Sequence, residues 1–188
     1  ELGIGVEGEH HEVAPGQLQI DLRAADALTM ADRVVTVTYV VRALARRNGL
    51  HATFMPKPMA KAKGSGMHIH QSLMDAQSGE NLFADGTDPY GLSDLARQFM
   101  AGQLAHAPGM MAVLAPLVNS YKRLASDDDA PACADWGRGD RSTLLRVPRA
   151  SCPEEARIEL RCPDASCNPY LGFAVMLSYA SFLHRRSD

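Results

Sequence analysis

Three stretches of this chain alternate polar and apolar residues with a period of two, which restricts each to a half-buried strand. The first follows a glycine-bracketed turn and reads Gly64-Ser65-Gly66-Met67-His68-Ile69-His70-Gln71-Ser72-Leu73. Side chains on a strand point to opposite faces in turn. Met67, Ile69 and Leu73 therefore look into a core, with Gln71 the polar exception, while His68, His70 and Ser72 share the other face. From Gln17 to Arg23, Leu18, Ile20 and Leu22 oppose Gln17, Gln19 and Asp21. From Ala156 to Cys162, Ile158, Leu160 and Cys162 oppose Arg157, Glu159 and Arg161. An isolated His-x-His is more often solvated sheet surface than a ligand site. A carboxylate between two guanidiniums can be a charge ladder across a sheet. Several polar strand faces in one chain shift the balance toward a site.

At 188 residues the chain is long enough for one sizeable domain with its own core. A hydrophobic content of 46% and a charged content of 22% suit a soluble globular protein. With a net charge of −3, bulk electrostatics point to neither a nucleic acid nor a membrane partner. No apolar run approaches a membrane span, and no signal peptide opens the chain. Cys133, Cys152, Cys162 and Cys167 lack Cys-x-x-Cys spacing, which leaves zinc and thioredoxin-like sites unsupported. Free thiols in a reducing cytoplasm are the expectation. The chain opens at Glu1, without Met and within strand-like sequence, as expected of a piece of something longer.

Gly3-Ile4-Gly5-Val6-Glu7-Gly8 matches the dinucleotide fingerprint by letter, but no helix follows to receive a pyrophosphate. Pro15 stands where a zincin would place its second His. Ala14-Pro15-Gly16 instead joins two polar-faced strands into an antiparallel hairpin, with Glu12 and Gln19 on its polar side. From Asp26 to Arg47 the period becomes helical, and an apolar stripe runs through Leu28, Val34, Val35, Tyr39, Val41, Leu44 and Ala45. Asn48-Gly49 stops that helix. Leu50 to Met55 reads as a buried strand, and the basic loop Lys57 to Lys63 suits either an anion or plain solvation.

Ser93 caps a helix expected through His106, with Pro108-Gly109 breaking it before a shorter helix to Ala115. Asp127-Asp128-Asp129 reads as a solvated loop and Trp136 to Asp140 as another loop. Ser142 to Val147 is strand-like. Asn168-Pro169 opens a helix toward His184-Arg185-Arg186. Hairpins and strands interspersed with long helices give an α+β class.

Glu12, His68 and Glu159 are candidate ligands for a hard divalent cation, Mg²⁺ or Mn²⁺ rather than zinc. Arg123, Arg141, Arg146, Arg157 and Arg161 follow in the second half. A metal with several arginines, and no Ser-His-Asp or reactive Cys pattern, is the equipment of phosphoryl transfer. A cupin-like metal protein would use His68-x-His70, but this chain lacks a Glu at the expected offset and has too many helices.

Five motifs then resemble the glutamine synthetase family in order and spacing. They are His10-His11-Glu12-Val13-Ala14-Pro15-Gly16-Gln17; Lys57-Pro58 with Gly64-Ser65-Gly66-Met67-His68; Asn119-Ser120-Tyr121-Lys122-Arg123-Leu124; Arg157-Ile158-Glu159-x-Arg161; and Asn168-Pro169-Tyr170. The resemblance spans nearly all of residues 1–188 and implies a partial bacterial-type catalytic domain. Its fold would be a curved, largely antiparallel sheet backed by helices, lining part of a funnel entered by ATP and glutamate. The implied reaction phosphorylates the glutamate side chain with ATP, and ammonia then displaces phosphate.

By that resemblance Glu7, His70, Ser72, Arg146 and Arg157 would serve ATP, and Gly64, Arg123 and Arg161 would hold glutamate. Glu12 would bind one Mg²⁺ or Mn²⁺, and His68 and Glu159 the other. Asp129, Arg141 and Arg161 would be catalytic. A cytoplasmic homo-oligomeric ring, its sites completed by neighbouring subunits, is also implied, and with it an inactive isolated fragment.

Departures from the family pattern qualify these roles. Gln19 replaces a second metal-binding Glu, which lowers the charge of that site. The pattern's Pro-Gly-Tyr-Glu-Ala-Pro flap is here Ser126-Asp127-Asp128-Asp129-Ala130-Pro131, so Asp129 is a methylene short for a general base. Lys63 stands where Asn is frequent and Glu154 where Lys is common. An organic amine in place of ammonia, or a paralogue that binds nucleotide or assembles without turnover, both follow from these changes as alternatives.

Overall fold

The computed structural model describes residues 2–128 and 130–181. Two strands, β1 (Val6–His11) and β2 (Leu18–Leu22), form the expected antiparallel hairpin. Its register pairs His10 with Gln19 and places a bulge at Glu7, between Val6 and Gly8. The turn closes through Gln17 N–H to the Ala14 carbonyl at 3.0 Å, and Gly16 takes a φ of 70°, open to glycine without strain.

Helix α1 (Ala27–Arg47) starts where Asp26 accepts the Thr29 N–H at 3.0 Å. It ends where the Asn48 side chain donates to the Leu44 carbonyl at 2.8 Å and Gly49 turns away at a φ of 70°. Its apolar stripe exists but faces outward: Leu28 is 66% exposed and Tyr39 73%, and only Ala31 is fully buried. Ile4, Val6, Ile20, Val37, Val41 and Leu44 line an open apolar groove of about 530 Å³ between hairpin and helix.

The main sheet has the order β3 (Ile69–Gln71), β6 (Ile158–Leu160), β5 (Leu145–Val147), β4 (Trp136–Arg138). Its first two pairings are antiparallel and the last is parallel. Trp136–Asp140, expected as loop, thus contributes an edge strand; three residues are too few to display a period. The expected strand at Leu50–Met55 is absent. Among the described residues no ladder partner lies beside it, Leu50 is 69% exposed, and Phe54 packs under the Arg42 guanidinium, 5.1 Å from its ring centre.

Helix α2 (Asp94–Leu114) continues unbroken across Pro108, where a break was expected. Proline removes one backbone donor and crowds the preceding turn. Burial offsets that cost: Phe99, Gln103, Ala107, Met110 and Leu114 form a buried stripe at three- and four-residue spacing. The stripe packs on α4 (Pro169–Ser181), which Asn168 caps by accepting the Tyr170 N–H at 3.0 Å. The expected continuation to His184-Arg185-Arg186 lies outside the described residues.

A core of Phe83, Phe99, Met110, Leu114, Leu145, Ile158 and Leu160 fills the space between these helices and the apolar sheet face. In chain order α3 (Val118–Ser126) follows α2 and precedes β4.

Candidate active site

Strand register creates the site. His70 stands opposite Glu159, and Glu159 opposite Arg146, so the three form one row across β3, β6 and β5. The neighbouring row, Ile69, Leu160 and Leu145, belongs to the other face, where Leu160 and Leu145 are fully buried. Period-two alternation on three strands thus sorts chemistry from core.

Glu159 is the centre of the polar row, at 1% exposure. One oxygen accepts Arg161 Nη1 at 2.6 Å and lies 3.3 Å from His68 Nδ1. The other accepts Arg146 Nε. Burial works to raise the Glu159 carboxyl, but Arg161, His68, His70 and Arg146 outweigh it and hold it below the usual carboxylate range. A third of the His68 side chain remains accessible, yet burial is the largest influence on its ring. With Arg161 acting in the same direction, its pKa is pushed down to about 4, so the ring is neutral at pH 7. Burial also lowers His70, helped by Arg157, whose Nε donates to His70 Nδ1 at 3.3 Å.

Arg161 donates Nε–H to the Arg141 carbonyl at 2.8 Å, while Arg141 itself is exposed. Arg123 is 3% exposed and donates to the carbonyls of Arg161, Cys162 and Pro163 at 2.6–3.2 Å. Its guanidinium therefore braces the end of β6. Ser72 is exposed one residue beyond β3, on the same face as His70.

The hairpin meets the glycine turn through Gln17, whose amide donates to the Gly64 carbonyl at 2.8 Å and the Ser65 hydroxyl at 3.0 Å. Glu7 is exposed at the bulge. Glu12 lies just past β1, its carboxylate 3.7 Å from His10. Gln19 donates its amide to Asp21 at 2.7 Å. Asp129 lies outside the described residues.

Glu12, His68 and Glu159 are not gathered into one metal centre: among the described residues no three His, Cys, Asp or Glu side chains converge. A neutral His68 beside an anionic Glu159 has suitable donor chemistry. However, Arg161 Nη1 lies 2.6 Å from the Glu159 carboxylate and 3.4 Å from His68 Nδ1, so a guanidinium already serves both. An arginine cation thus occupies the place between these two side chains.

The acidic run expected to be solvated is split. Asp128 is fully exposed, but Asp127 is buried and paired with Lys57. Lys57 is likewise buried, unlike the solvated or anion-binding lysine expected of that loop. Asn119, Arg123 and Asp127 recur every four residues, a helical spacing that could have marked them as one stripe.

A sequence profile described as glutamine synthetase, catalytic domain, matches residues 1–181. The chain belongs to the glutamine synthetase catalytic-domain family. It is 51% identical over 177 residues to a glutamine synthetase of Halobacterium salinarum, covering 94% of this chain and 38% of that protein. Against a glutamine synthetase of Thermus thermophilus the identity is 52% over 175 residues, covering 93% and 39%. The fold matches a Plasmodium falciparum glutamine synthetase with a TM-score of 0.92 at 32% identity, covering 98% of this chain and 36% of that one. It matches GmaS, solved without ligand, with a TM-score of 0.84 at 42% identity, covering 95% and 40%. The chain therefore spans about two fifths of the length of the family members it matches.

Proposed function

We propose that this chain is part of an ATP-dependent ligase that joins ammonia, or a small organic amine, to the side-chain carboxylate of glutamate. One observation carries the proposal: Arg146, Arg157 and Arg161 stand around Glu159 and His70 on the polar face of the sheet. Transfer of a phosphoryl group from ATP to glutamate gathers negative charge, and prepositioned guanidiniums lower the cost of gathering it. Attack by the amine on the acyl phosphate then forms the amide and expels phosphate.

In this account Arg157 with His70, together with Arg146, Ser72 and Glu7, faces the nucleotide. Gly64 presents its backbone to glutamate, Arg161 and Arg141 neutralise the transferring group, and Asp129 receives the amine proton. Arg123 acts at one remove, by fixing the β6 end that carries Arg161. Glu12 would hold one Mg²⁺ or Mn²⁺, and ligation of the other by His68 and Glu159 would require Arg161 to leave the Glu159 carboxylate. The full-length protein would act as a homo-oligomeric ring in the cytoplasm, and residues 1–188 alone would not turn over.

Phosphate release by the full-length protein, with ATP, glutamate and a panel of amines, tests the proposal. Release that needs glutamate and an amine together supports it, and the best amine identifies the acceptor. If ammonia surpasses every organic amine by a wide margin, the organic-amine alternative is lost.

A second reading, a paralogue without turnover, draws on Gln19, which gives its amide to Asp21 in place of a ligand carboxylate. Turnover in the parent would end that reading. An inactive parent restored by Gln19→Glu would establish it.

A further inference from the structure

Asn119, Arg123 and Asp127 lie four residues apart along α3 and its C-terminal cap, which aligns them on one face. All three grip the segment from Pro56 to Gly66. Asn119 brackets Lys57, accepting its N–H at 2.7 Å and donating to its carbonyl at 3.0 Å. Arg123 packs so closely that a Cβ added to Gly66 would stand 2.9 Å from its guanidinium. Asp127 uses both oxygens: one takes the Lys57 ammonium, and the other accepts the Gly64 N–H at 2.8 Å.

From these contacts we infer that Asp127 is a positioning residue for Gly64, and through Gly64 for the glutamate subsite. The inference rests on the proposed function in assigning glutamate to Gly64. The Gly64 backbone is held from both sides, its N–H by Asp127 and its carbonyl by Gln17. No side chain fits there, since a Cβ on Gly64 would lie 2.4 Å from the Pro56 carbonyl oxygen and 2.8 Å from Asp127 Oδ2. Asp127 and Lys57 are both at least nine-tenths buried, so each requires the other's charge.

Two variants of the full-length protein test the inference: Asp127→Ala, and the double variant Asp127→Asn with Lys57→Met. The double variant removes both buried charges and keeps an amide oxygen for the Gly64 N–H. Amide hydrogen exchange over residues 57–66 and the KM values for glutamate and ATP are the readouts. Asp127→Ala should speed exchange at Gly64 and raise the glutamate KM, each by about tenfold, with kcat and the ATP KM within about twofold. The double variant should return both toward the parent.

Unchanged exchange at Gly64 in Asp127→Ala overturns the inference. So does faster exchange with an unchanged glutamate KM, or an equal loss in kcat and both KM values, because these describe a merely structural residue. Should Asp127→Ala not fold, parent-like exchange in the double variant upholds the inference and lost protection overturns it. If the parent turns over no amine at all, the proposed function fails separately, and exchange at Gly64 alone decides whether Asp127 holds that loop.

Discussion

Glu159 shows how little of a buried carboxylate's role can be separated from its neighbours. Arg161, Arg146 and His68 all contact it, and at 1% exposure it cannot be replaced by water. Glu159→Gln leaves two guanidiniums facing each other without a counter-charge and should destabilise the fold by about 3–5 kcal/mol, read as a lower urea midpoint. A loss under about 1 kcal/mol would show that the arginines relax into solvent. Gly64→Ala is a sharper case, because its new methyl meets the Pro56 carbonyl at 2.4 Å. It should raise the glutamate KM far more than the ATP KM; equal changes would remove Gly64 from the glutamate subsite. Period-two alternation makes His68, His70, Glu159 and Arg161 legible in the sequence, because it puts them on the face opposite the core. Asp127 is not legible in the same way, since an acidic run carries no mark of which member will find a buried lysine seventy positions upstream.

Helices are more legible in this sequence than short strands, because caps and a 3.6-residue period leave clear marks. Asp26, Ser93 and Asn168 all cap the helices they are expected to begin. The exceptions have physical causes: α2 continues through Pro108 on the strength of its buried face, and the three-residue β4 is too short to show alternation. The α2–α4 crossing depends on Gly102, where an added Cβ would lie 2.6 Å from the Tyr179 carbonyl oxygen. Gly102→Ala should therefore force the helices apart and cost about 1–3 kcal/mol, visible as a lower melting temperature. A stabilised variant would instead mean that helix propensity outweighs the contact.

The turn-rich segment before α2 should be sensitive to acid. Backbone N–H donors from Ser78 and Gln77 hold Asp75 below the usual carboxylate range, the Thr87 hydroxyl does the same for Asp85, and the Leu92 N–H for Asp88. Folded values below the unfolded ones contribute stability that is complete above about pH 4 and is lost as pH falls through the folded values. Amide exchange at Gln77, Ser78, Thr87 and Leu92 should accelerate over that window before the α2 amides do. Simultaneous loss would indicate global unfolding.

At the scale of the whole molecule, the sequence has more apolar surface than these residues cover. Leu18, Leu28, Tyr39 and Leu44 are each at least half exposed, and the groove between hairpin and α1 is open. Such surface favours association. Residues 1–188 expressed alone should scatter light as a polydisperse species, and a monodisperse monomer would contradict this. The alternation that marks the hairpin is correct, but nothing in a local pattern states what will lie against an apolar face. Family membership and the row through His70, Glu159 and Arg146 both support the proposed phosphoryl transfer to a carboxylate. The most direct test is phosphate release from ATP by the full-length protein, with glutamate and amine supplied singly and together. Release only when both are present is the predicted result. Release that ignores glutamate, or none from a folded protein with any amine, would contradict it.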